Sequence, residues 1–349
     1  MLAPISFLSG LGVVICLPQS TSSAANLRQQ LRRIDYCGSI ALVSSLVLFL
    51  IYLNYEDSQG AASGLYVKAC VPMAAALLAL FILVELRWAQ EPIIKLDLFS
   101  EPTVLAACLS CAFMSMAIFT LLFYVPIYLQ LRGYSTSQTG VRLLPESVGG
   151  GLGSVVVGFI TRRTGQYSAL KIIMPVLLVL ASMGFAAITL DSSNVLSEIY
   201  LFFNGFGFGG LLTVMLLALL SSVPHCHQAT STSALLTFRS VGAAVGISAA
   251  GTMFRSRLDD QASGHTPKDR LFLNNCHVES LGLLDRGNVD QPKDVCMHAL
   301  HGTFQLALTF SIAGFLCALF VKSYTLRSTI EEPPTAKDRP DDVQEPGVV

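Results

Sequence analysis

Apolar residues form long, uninterrupted runs along this chain, and short polar segments separate one run from the next. Most of the runs reach the roughly 20 residues that a helix needs to cross about 30 Å of hydrocarbon. Hydrophobic and polar residues do not alternate within them, so the pattern predicts membrane-spanning helices and not an outer-membrane barrel. The runs cover residues 2–17, 38–55, 65–86, 103–129, 143–161, 170–190, 197–221, 231–254 and 301–321.

The composition points to the same class of protein. Of the 349 residues, 52% are hydrophobic and 13% are charged, whereas a soluble domain has about 25% charged residues. We therefore expect an all-α, polytopic membrane protein that contacts the lipid bilayer and binds no nucleic acid. The predicted divisions are a partial first helix with a basic linker (1–37), two inserted helices with a loop (38–101), a six-helix unit containing one long loop at 255–300 (102–322), and a disordered acidic tail (323–349).

Basic residues in the short loops predict the orientation. Lysine and arginine are concentrated in alternate loops, and by the positive-inside rule those loops face the cytoplasm. The C-terminus is then cytoplasmic, while residue 1 and the loop 255–300 lie outside. The residues that carry this prediction are Arg28, Arg32, Arg33, Arg87, Lys95, Arg162, Arg163, Lys171, Lys322 and Arg327.

Four stretches, in the same order and spacing, resemble one family. They are "LRQQLRRIDYCGS" before the second run, "EPIIKLDLF" before the fourth, "LLFYVPIYLQLRGYSTSQTGVRLLP" at 121–145 and "FRSVGAAVGISAAGTMF" at 238–254. Together they resemble fungal drug-type proton antiporters of the major facilitator superfamily with 14 transmembrane helices. The nine runs would correspond to helices six to fourteen, so the resemblance implies that the N-terminal half of that fold is missing.

The segment "GFITRRTGQY", residues 158–167, resembles the cytoplasmic loop motif of that family at Gly158, Arg163 and Gly165. A loop this short needs a glycine to turn the chain, and basic side chains favour the carbonyl end of a helix. Arg162 stands where the family usually has an acidic residue. The exchange of charge pairs that the motif is thought to make when helices slide is therefore not expected here in its usual form. A tight turn carrying positive-inside residues explains the loop about as well.

Small residues recur every fourth position in two predicted helices. This spacing puts them on one helix face, where another helix can approach closely. The resemblance implies that these two helices pack across the boundary between the halves of the transporter, and general packing of membrane helices is the alternative. The predicted packing residues are Gly149, Gly153, Gly158, Gly242, Gly246 and Ala250.

Arg239 is a charged residue inside the apolar run 231–254. Gly242, Gly246 and Ala250 follow it at intervals of 3, 7 and 11, so the arginine shares their face and is expected to point into protein. An intramembrane charge is costly unless it is paired, which makes Arg239 a candidate functional residue. A structural role, with the long side chain reaching towards the cytoplasm, is the alternative.

Other polar and aromatic residues at membrane depth predict a substrate pathway, because the resemblance implies that their helices line the central cavity. Such a lining suits a bulky, amphipathic organic molecule. No acidic residue is expected at mid-membrane depth, and Glu146 is expected near the outer end of its helix. The predicted pathway residues are Thr120, Tyr124, Tyr128, Tyr200, Asn204, Phe208, Met215 and Arg239.

We expect transport without covalent catalysis, cofactor or metal. The predicted function is proton-coupled efflux of a small organic compound, such as a drug, toxin or secondary metabolite, across the plasma membrane. Vacuolar transport of basic amino acids is one alternative, and a truncated, non-transporting membrane protein is another. The predicted partners are the substrate, protons and either a missing N-terminal half or further copies of the chain.

Cysteine spacing adds two weaker expectations. The "CLSC" at 108–111 has the spacing of a metal-binding pair, but no second pair of ligands accompanies it, so packing is favoured. Cys276 and Cys296 share the loop 255–300, where a disulfide between them is one option.

Overall fold

The computed structural model describes residues 36–54, 60–87, 101–190, 192–224, 227–262 and 290–322. Regular secondary structure in these ranges is entirely helical, which confirms the all-α prediction. The run 2–17 and the tail 323–349 lie outside the described residues. The helices are α1 (Tyr36–Asn54), α2 (Gly60–Arg87), α3 (Pro102–Leu131), α4 (Thr136–Arg142), α5 (Leu144–Thr164), α6 (Leu170–Ala186), α7 (Asn194–Ser222), α8 (Gln228–Ala262) and α9 (Asp290–Leu319).

Five helical segments within the described ranges are long and apolar enough to cross a membrane. They are Pro102–Leu131, Thr136–Thr164, Asn194–Ser222, Gln228–Leu258 and Asp294–Leu319, and the second of them joins α4 to α5. Shorter apolar segments occupy Ile40–Tyr52, Ala69–Val84 and Leu170–Ala186.

The predicted loop 255–300 is too long at both ends. α8 continues to Ala262, and α9 already begins at Asp290. The apolar run stops at residue 254, but charged residues such as Arg255 and Arg257 are good helix formers and continue the helix beyond it. Hydropathy therefore located the membrane-spanning part of these helices and missed their polar extensions.

Local sequence determines where several helices begin and end. Pro102 lies in the first turn of α3, where its missing N–H costs no hydrogen bond. Ser135 and Gln138 form a capping box at the start of α4, each side chain accepting from the other's backbone N–H at 3.4 and 3.1 Å. α5 ends at Gly165, whose φ of 65° is a left-handed conformation that glycine adopts without strain.

The chain divides into two compact units. One consists of Met1–Phe49 and Lys68–Ile93, and the other of Leu50–Val67 and Ile94–Val349. Within the first unit, the Ser45 hydroxyl donates to the carbonyl of Ala74 at 2.9 Å and so links α1 to α2. The second unit contains α3 to α9 and all of the polar groups discussed below.

Successive spans of the second unit run in opposite directions. Ser110, near the start of α3, donates to the carbonyl of Gly314 near the end of α9 at 3.0 Å. Tyr128, near the end of α3, meets Phe304 in the first half of α9 with ring centroids 6.5 Å apart. α3 and α9 are therefore antiparallel. Spans separated by an even number of steps in sequence are parallel, and two such pairs, α5 with α7 (two steps) and α3 with α8 (four steps), pack closely.

Buried apolar side chains form two clusters, one towards each end of α3. The cluster at the end of α3 includes Tyr128, Phe185 and Phe304. The cluster at its start includes Met114 and Met215. Together they fill the interior of the six-span unit, and the polar groups described next are inserted into this apolar surrounding.

Candidate functional site

A carboxylic acid and an amide meet inside the second unit. Glu146, in the first turn of α5, is 6% exposed, and Asn204 of α7 is fully buried. Asn204 Nδ2 donates to Glu146 Oε1 at 3.4 Å. The remaining oxygens of the pair, Glu146 Oε2 and Asn204 Oδ1, are buried without a hydrogen-bond partner among the described residues. Burying such oxygens without a donor is costly, so the pair is a candidate functional site.

Glu146 lies near the start of α5, and the short polar helix α4 precedes it. α4 and α5 form one span of 29 residues, interrupted at Leu143 because Pro145 has no N–H to continue the helical hydrogen bonds. Glu146 is ten residues into this span and Asn204 is ten residues into α7, so each lies about 15 Å from the start of its span. Glu146 lies in the first turn of α5, as expected for a residue near the end of its helix, and the polar residues of α4 extend the segment before it.

Glycines bring α5 and α7 together at this level. A Cβ atom at Gly205 would collide with the carbonyl of Glu146, and one at Gly209 would collide with the carbonyl of Gly150. On the facing helix, a Cβ atom at Gly149 or Gly153 would likewise strike backbone of α7. The two backbones are therefore in direct contact. This contact sets the first turn of α5 beside the middle of α7 and so places Glu146 next to Asn204.

A cavity of about 500 Å³ adjoins the acid–amide pair. Its wall includes Pro145, which directly precedes Glu146, and an ion pair between Arg142 and Glu198. The guanidinium of Arg142 also lies over the ring of Tyr134, 4.1 Å from its centroid. Both members of the ion pair are partly exposed, at 24% and 37%, so water reaches this cavity. Its other lining residues are Ser137, Gln138 and Val141.

Arg239 lies on α8 and reaches α7. Its guanidinium carbon is 5.9 Å from the centroid of the Phe208 ring, and the side chain is half-buried. A cation over an aromatic ring gains part of the free energy that it loses on leaving water. Within the part of the chain that the structure describes, no hydrogen bond or ion pair accompanies this contact. Phe208 is one helical turn from Asn204, so Arg239 and Glu146 contact neighbouring residues of α7.

The small-residue face of α8 packs against α3. A Cβ atom at Gly242 would collide with the carbonyl of Ala112, and one at Gly246 would approach the backbone of Met116. Ala250, on the same face, is fully buried. Another helix of the same unit thus covers this face, as α7 covers Gly149 and Gly153 of α5. A four-residue period identifies a packing face, but it does not identify the helix that covers it.

Three predicted pathway residues on α3 are buried in helix contacts. The Thr120 hydroxyl donates to the carbonyl of Gly246 at 3.2 Å, and the Tyr128 hydroxyl donates to the carbonyl of Thr189 at 3.0 Å. Tyr124 packs on an aromatic ring of α8, with centroids 5.3 Å apart. None of the three borders the cavity beside Glu146. Their structural surroundings are those of packing residues.

The predicted residues on α7 separate into two groups. Asn204 and Phe208 lie at the polar site, beside Glu146 and Arg239 respectively. Tyr200 packs against Phe185 with centroids 5.8 Å apart, and Met215 is fully buried in the cluster at the start of α3. Sequence analysis missed Glu146 as a member of the site. The proline directly before it was the available signal, since a proline marks a break inside a longer span.

In the loop motif at the end of α5, Arg163 and Gly165 have a clear structural role and Gly158 does not. Arg163 lies over the ring of Phe159, 4.4 Å from its centroid. A Cβ atom at Gly158 would meet open space, so the structure does not place this glycine in a helix contact as predicted. Gly158 belongs to the second four-residue series, with Gly150 and Ser154, whereas Val157, four residues after Gly153, continues the face that contacts α7. Gly165 supplies the turn.

Cysteines give no metal site in the described residues. No group of three metal-ligating side chains is found there, and Cys108 and Cys111 are buried free thiols. Cys296 is disulfide-bonded, and Cys276, with which it shares the predicted loop, lies outside the described residues.

Comparison with known proteins gives a family match. Residues 2–247 match the model of the Major Facilitator Superfamily. The chain is 26% identical over 356 residues to the MFS-type efflux pump LUC4 of Fusarium sp, covering 96% of this chain and 63% of that protein. It is 28% identical over 324 residues to the multidrug resistance protein fnx1 of Schizosaccharomyces pombe, covering 90% of this chain and 60% of that protein. The chain thus spans about three fifths of the length of these relatives.

Two further proteins extend the comparison. The vacuolar membrane amino acid uptake transporter fnx2 of Schizosaccharomyces pombe is 26% identical over 258 residues, which cover 70% of this chain and 43% of that protein. Among solved structures, a bacterial homologue of the human lysosomal transporter Spinster superposes with a TM-score of 0.50 at 17% identity, covering 72% of this chain and 56% of the other. This likeness confirms the predicted fold and concerns the fold alone.

Proposed function

This chain belongs to the Major Facilitator Superfamily, and we propose that it takes part in proton-coupled efflux of a small organic compound. Support comes from relatives named as an efflux pump and as a multidrug resistance protein. Transporters of this kind work by alternating access, in which packed helix bundles open a central site to one side of the membrane and then to the other. The process needs a site that binds substrate and a group that binds protons, and no covalent step.

The observation that carries the proposal is the set of polar groups inside an otherwise apolar unit. Glu146, Asn204 and Arg239 lie on three different helices, each within a segment that is long and apolar enough to cross a membrane. Ionisable groups in this position destabilise a membrane helix and occur where a pathway or a proton relay needs them. Simple helix packing does not require them, because the glycines already bring the helices together.

We assign the substrate pathway first to Phe208 and Arg239. Both side chains are only partly buried, and together they present an aromatic face beside a cation. This combination suits an amphipathic molecule with an aromatic or electronegative group. Tyr200 and Met215 are assigned to the same path at greater distance, whereas Thr120, Tyr124 and Tyr128 support the helices that border it.

Vacuolar uptake of basic amino acids is the alternative, and one relative is named for amino acid uptake. The expectation that no acidic residue lies at mid-membrane depth is an argument against a basic substrate, because such a substrate needs a carboxylate as partner. Glu146 removes that argument, because a buried carboxylate suits a cationic substrate as well as a proton. A third proposal is that the chain transports nothing by itself and acts through a partner, either an N-terminal half or a second copy.

We further propose a plasma-membrane location with the C-terminus in the cytoplasm. The positive-inside distribution of basic residues supports this orientation. Labelling of intact cells with a membrane-impermeant thiol reagent tests it. A cysteine introduced after Lys322 should remain unlabelled, while reduced Cys276 should react. The reverse pattern would overturn the proposed orientation.

Transport itself is tested in proteoliposomes with an imposed pH gradient. The protein is reconstituted alone and together with a fragment that supplies the first two fifths of fnx1. Accumulation of a fluorescent amphipathic cation, driven by the imposed proton gradient, supports efflux. Accumulation of labelled lysine supports the vacuolar alternative. Accumulation of neither compound in either preparation, with the protein shown to be folded, contradicts both and favours the non-transporting chain.

A further inference from the structure

We propose that the Glu146 carboxyl is the proton-binding group of this unit and that it exchanges its proton with water in the cavity beside α4. The inference rests on the proposed proton-coupled transport and names the residue that would carry the proton. It begins from the unpartnered oxygens of the acid–amide pair, Glu146 Oε2 and Asn204 Oδ1.

The hydrogen bonds of the pair are complete only when one proton is added. As an ionised acid, Glu146 accepts from Asn204 Nδ2, while both Oε2 and the amide oxygen remain without a donor. A protonated carboxyl has an O–H that can donate, and Asn204 Oδ1 is an acceptor of the right kind on the adjacent side chain. Adding a proton thus turns two unmatched acceptors into a donor and an acceptor.

The charged groups around Glu146 do not neutralise it. On α5, Arg162 and Arg163 lie at the opposite end, about 24 Å along the helix. On α4 and α7, Arg142 and Glu198 pair with each other. On α8, Arg239 lies over Phe208, one turn of α7 away from Asn204. The acid therefore has no cation as a direct partner among the described residues, and a proton is the charge that it can gain.

A cavity lies on one side of this acid, although Glu146 itself is not among its lining residues. Pro145, the residue before Glu146, forms part of the wall of the 500 Å³ cavity, together with the partly exposed Arg142–Glu198 pair. On the other side, the backbone contact at Gly205 closes the α5–α7 interface. In the proton-transfer step, hydronium in the cavity gives its proton to Glu146 Oε2 and becomes water. Release is the reverse transfer.

The proton site is tested by infrared difference spectroscopy on the purified 349-residue protein in lipid nanodiscs. Lowering the pH should produce the carbonyl bands of protonated carboxylic acids, and one of these bands should come from Glu146. Glu146→Gln should abolish this band, whereas Glu101→Gln, which removes an exposed acid at the start of α3, should leave it unchanged. The readout needs no transport, so it is independent of the proposed function.

Two variants guard against loss of folding. Glu146→Asp keeps a carboxyl and should keep a titrating band. Asn204→Leu keeps Glu146 and should change both the frequency of the band and the pH at which it appears, because it removes the amide partner. If no band depends on Glu146 at any pH at which the protein stays folded, or if Asn204→Leu leaves the band unaltered, the inference is wrong.

Coupling is then tested in a preparation that transports. Glu146→Gln should lose uptake driven by a pH gradient and retain substrate exchange at equal pH, since exchange moves no net proton. Retention of gradient-driven uptake would also overturn the inference. If the unsubstituted protein moves no substrate but its Glu146 band titrates, the proposed function fails and the proton-binding site stands.

Discussion

The pairs α5–α7 and α3–α8 are built alike and differ in what they bury. In each pair, parallel helices approach until a glycine faces backbone of the other helix. In α5–α7 the glycines lie on both helices, whereas α3 contains none and only α8 supplies them. The first pair encloses an acid with an unpartnered oxygen, and the second leaves Arg239 half-buried over Phe208. The short side chain of Glu146 keeps its carboxyl inside the helix interface, while the long apolar stem of Arg239 lets its charge extend from a partly open one.

The largest expected effect is at the interface that is closed from both sides. Gly205→Ala drives a methyl group into the carbonyl of Glu146, and overpacking of this kind costs about 1–3 kcal/mol or more. We expect a clear loss of thermal stability for the purified protein in detergent. The control is Gly151→Ala on α5, where the added methyl meets open space. Equal stability of the two variants would mean that α5 and α7 are not in backbone contact.

A smaller loss is expected for Gly242→Ala. The added methyl would strike the carbonyl of Ala112, but α3 has no glycine of its own to interlock with α8, so α8 can shift away from it more easily. We expect a destabilisation near the lower end of the same range of about 1–3 kcal/mol, measured by the same unfolding experiment. A loss as large as that of Gly205→Ala would remove the proposed difference between the two pairs.

Arg239→Ala should change stability little and transport strongly. The cation over Phe208 is worth about 0.5–2 kcal/mol, which is a modest loss for folding. In a transport-competent preparation, uptake should fall sharply, and Arg239→Lys should restore only part because lysine lacks the planar guanidinium. The matched control is Arg162→Ala at the exposed end of α5. Normal uptake by Arg239→Ala would show that the arginine is only a structural anchor.

The smallest expected effect is at the hydroxyl that joins α3 to α8. Thr120→Val removes the hydrogen bond to the carbonyl of Gly246 at 3.2 Å but keeps the shape of the side chain. Hydrogen bonds between membrane helices contribute about 0.6 kcal/mol on average. Thr237→Val, whose hydroxyl bonds within its own helix, is the reference. A loss above about 2 kcal/mol would show that this bond, and not the glycines, holds the pair.

The sequence predicts the helices well because their main signal is local. Each apolar run in the described ranges became a helix, and the turn at Gly165 follows from a glycine in a short loop. The spacing of Gly242 and Gly246 correctly identified a helix face that contacts another helix. These features depend on the order of neighbouring residues, so one sequence contains them.

The site was only partly predictable, because it depends on a contact between two helices. Asn204, Phe208 and Arg239 were recognised as polar or aromatic residues in apolar runs. Glu146 was placed near the membrane surface because the apolar run begins at residue 143. What the sequence did not show is its position beside Asn204, which depends on the contact of its backbone with Gly205. No local pattern contains that contact, since it joins two residues that are far apart in the sequence.

Direct contact between a glycine and a carbonyl has a mechanical consequence. Neither group has a rotatable side chain that could yield, so α5 and α7 cannot slide past each other by small steps, and the same holds for α3 and α8. We therefore expect each helix pair to move as a rigid body when the protein changes conformation. The interface between the two helix pairs includes Phe208 and Arg239, whose side chains can change rotamer. We expect a shear motion of the unit to occur at this interface, where one helix pair can slide against the other.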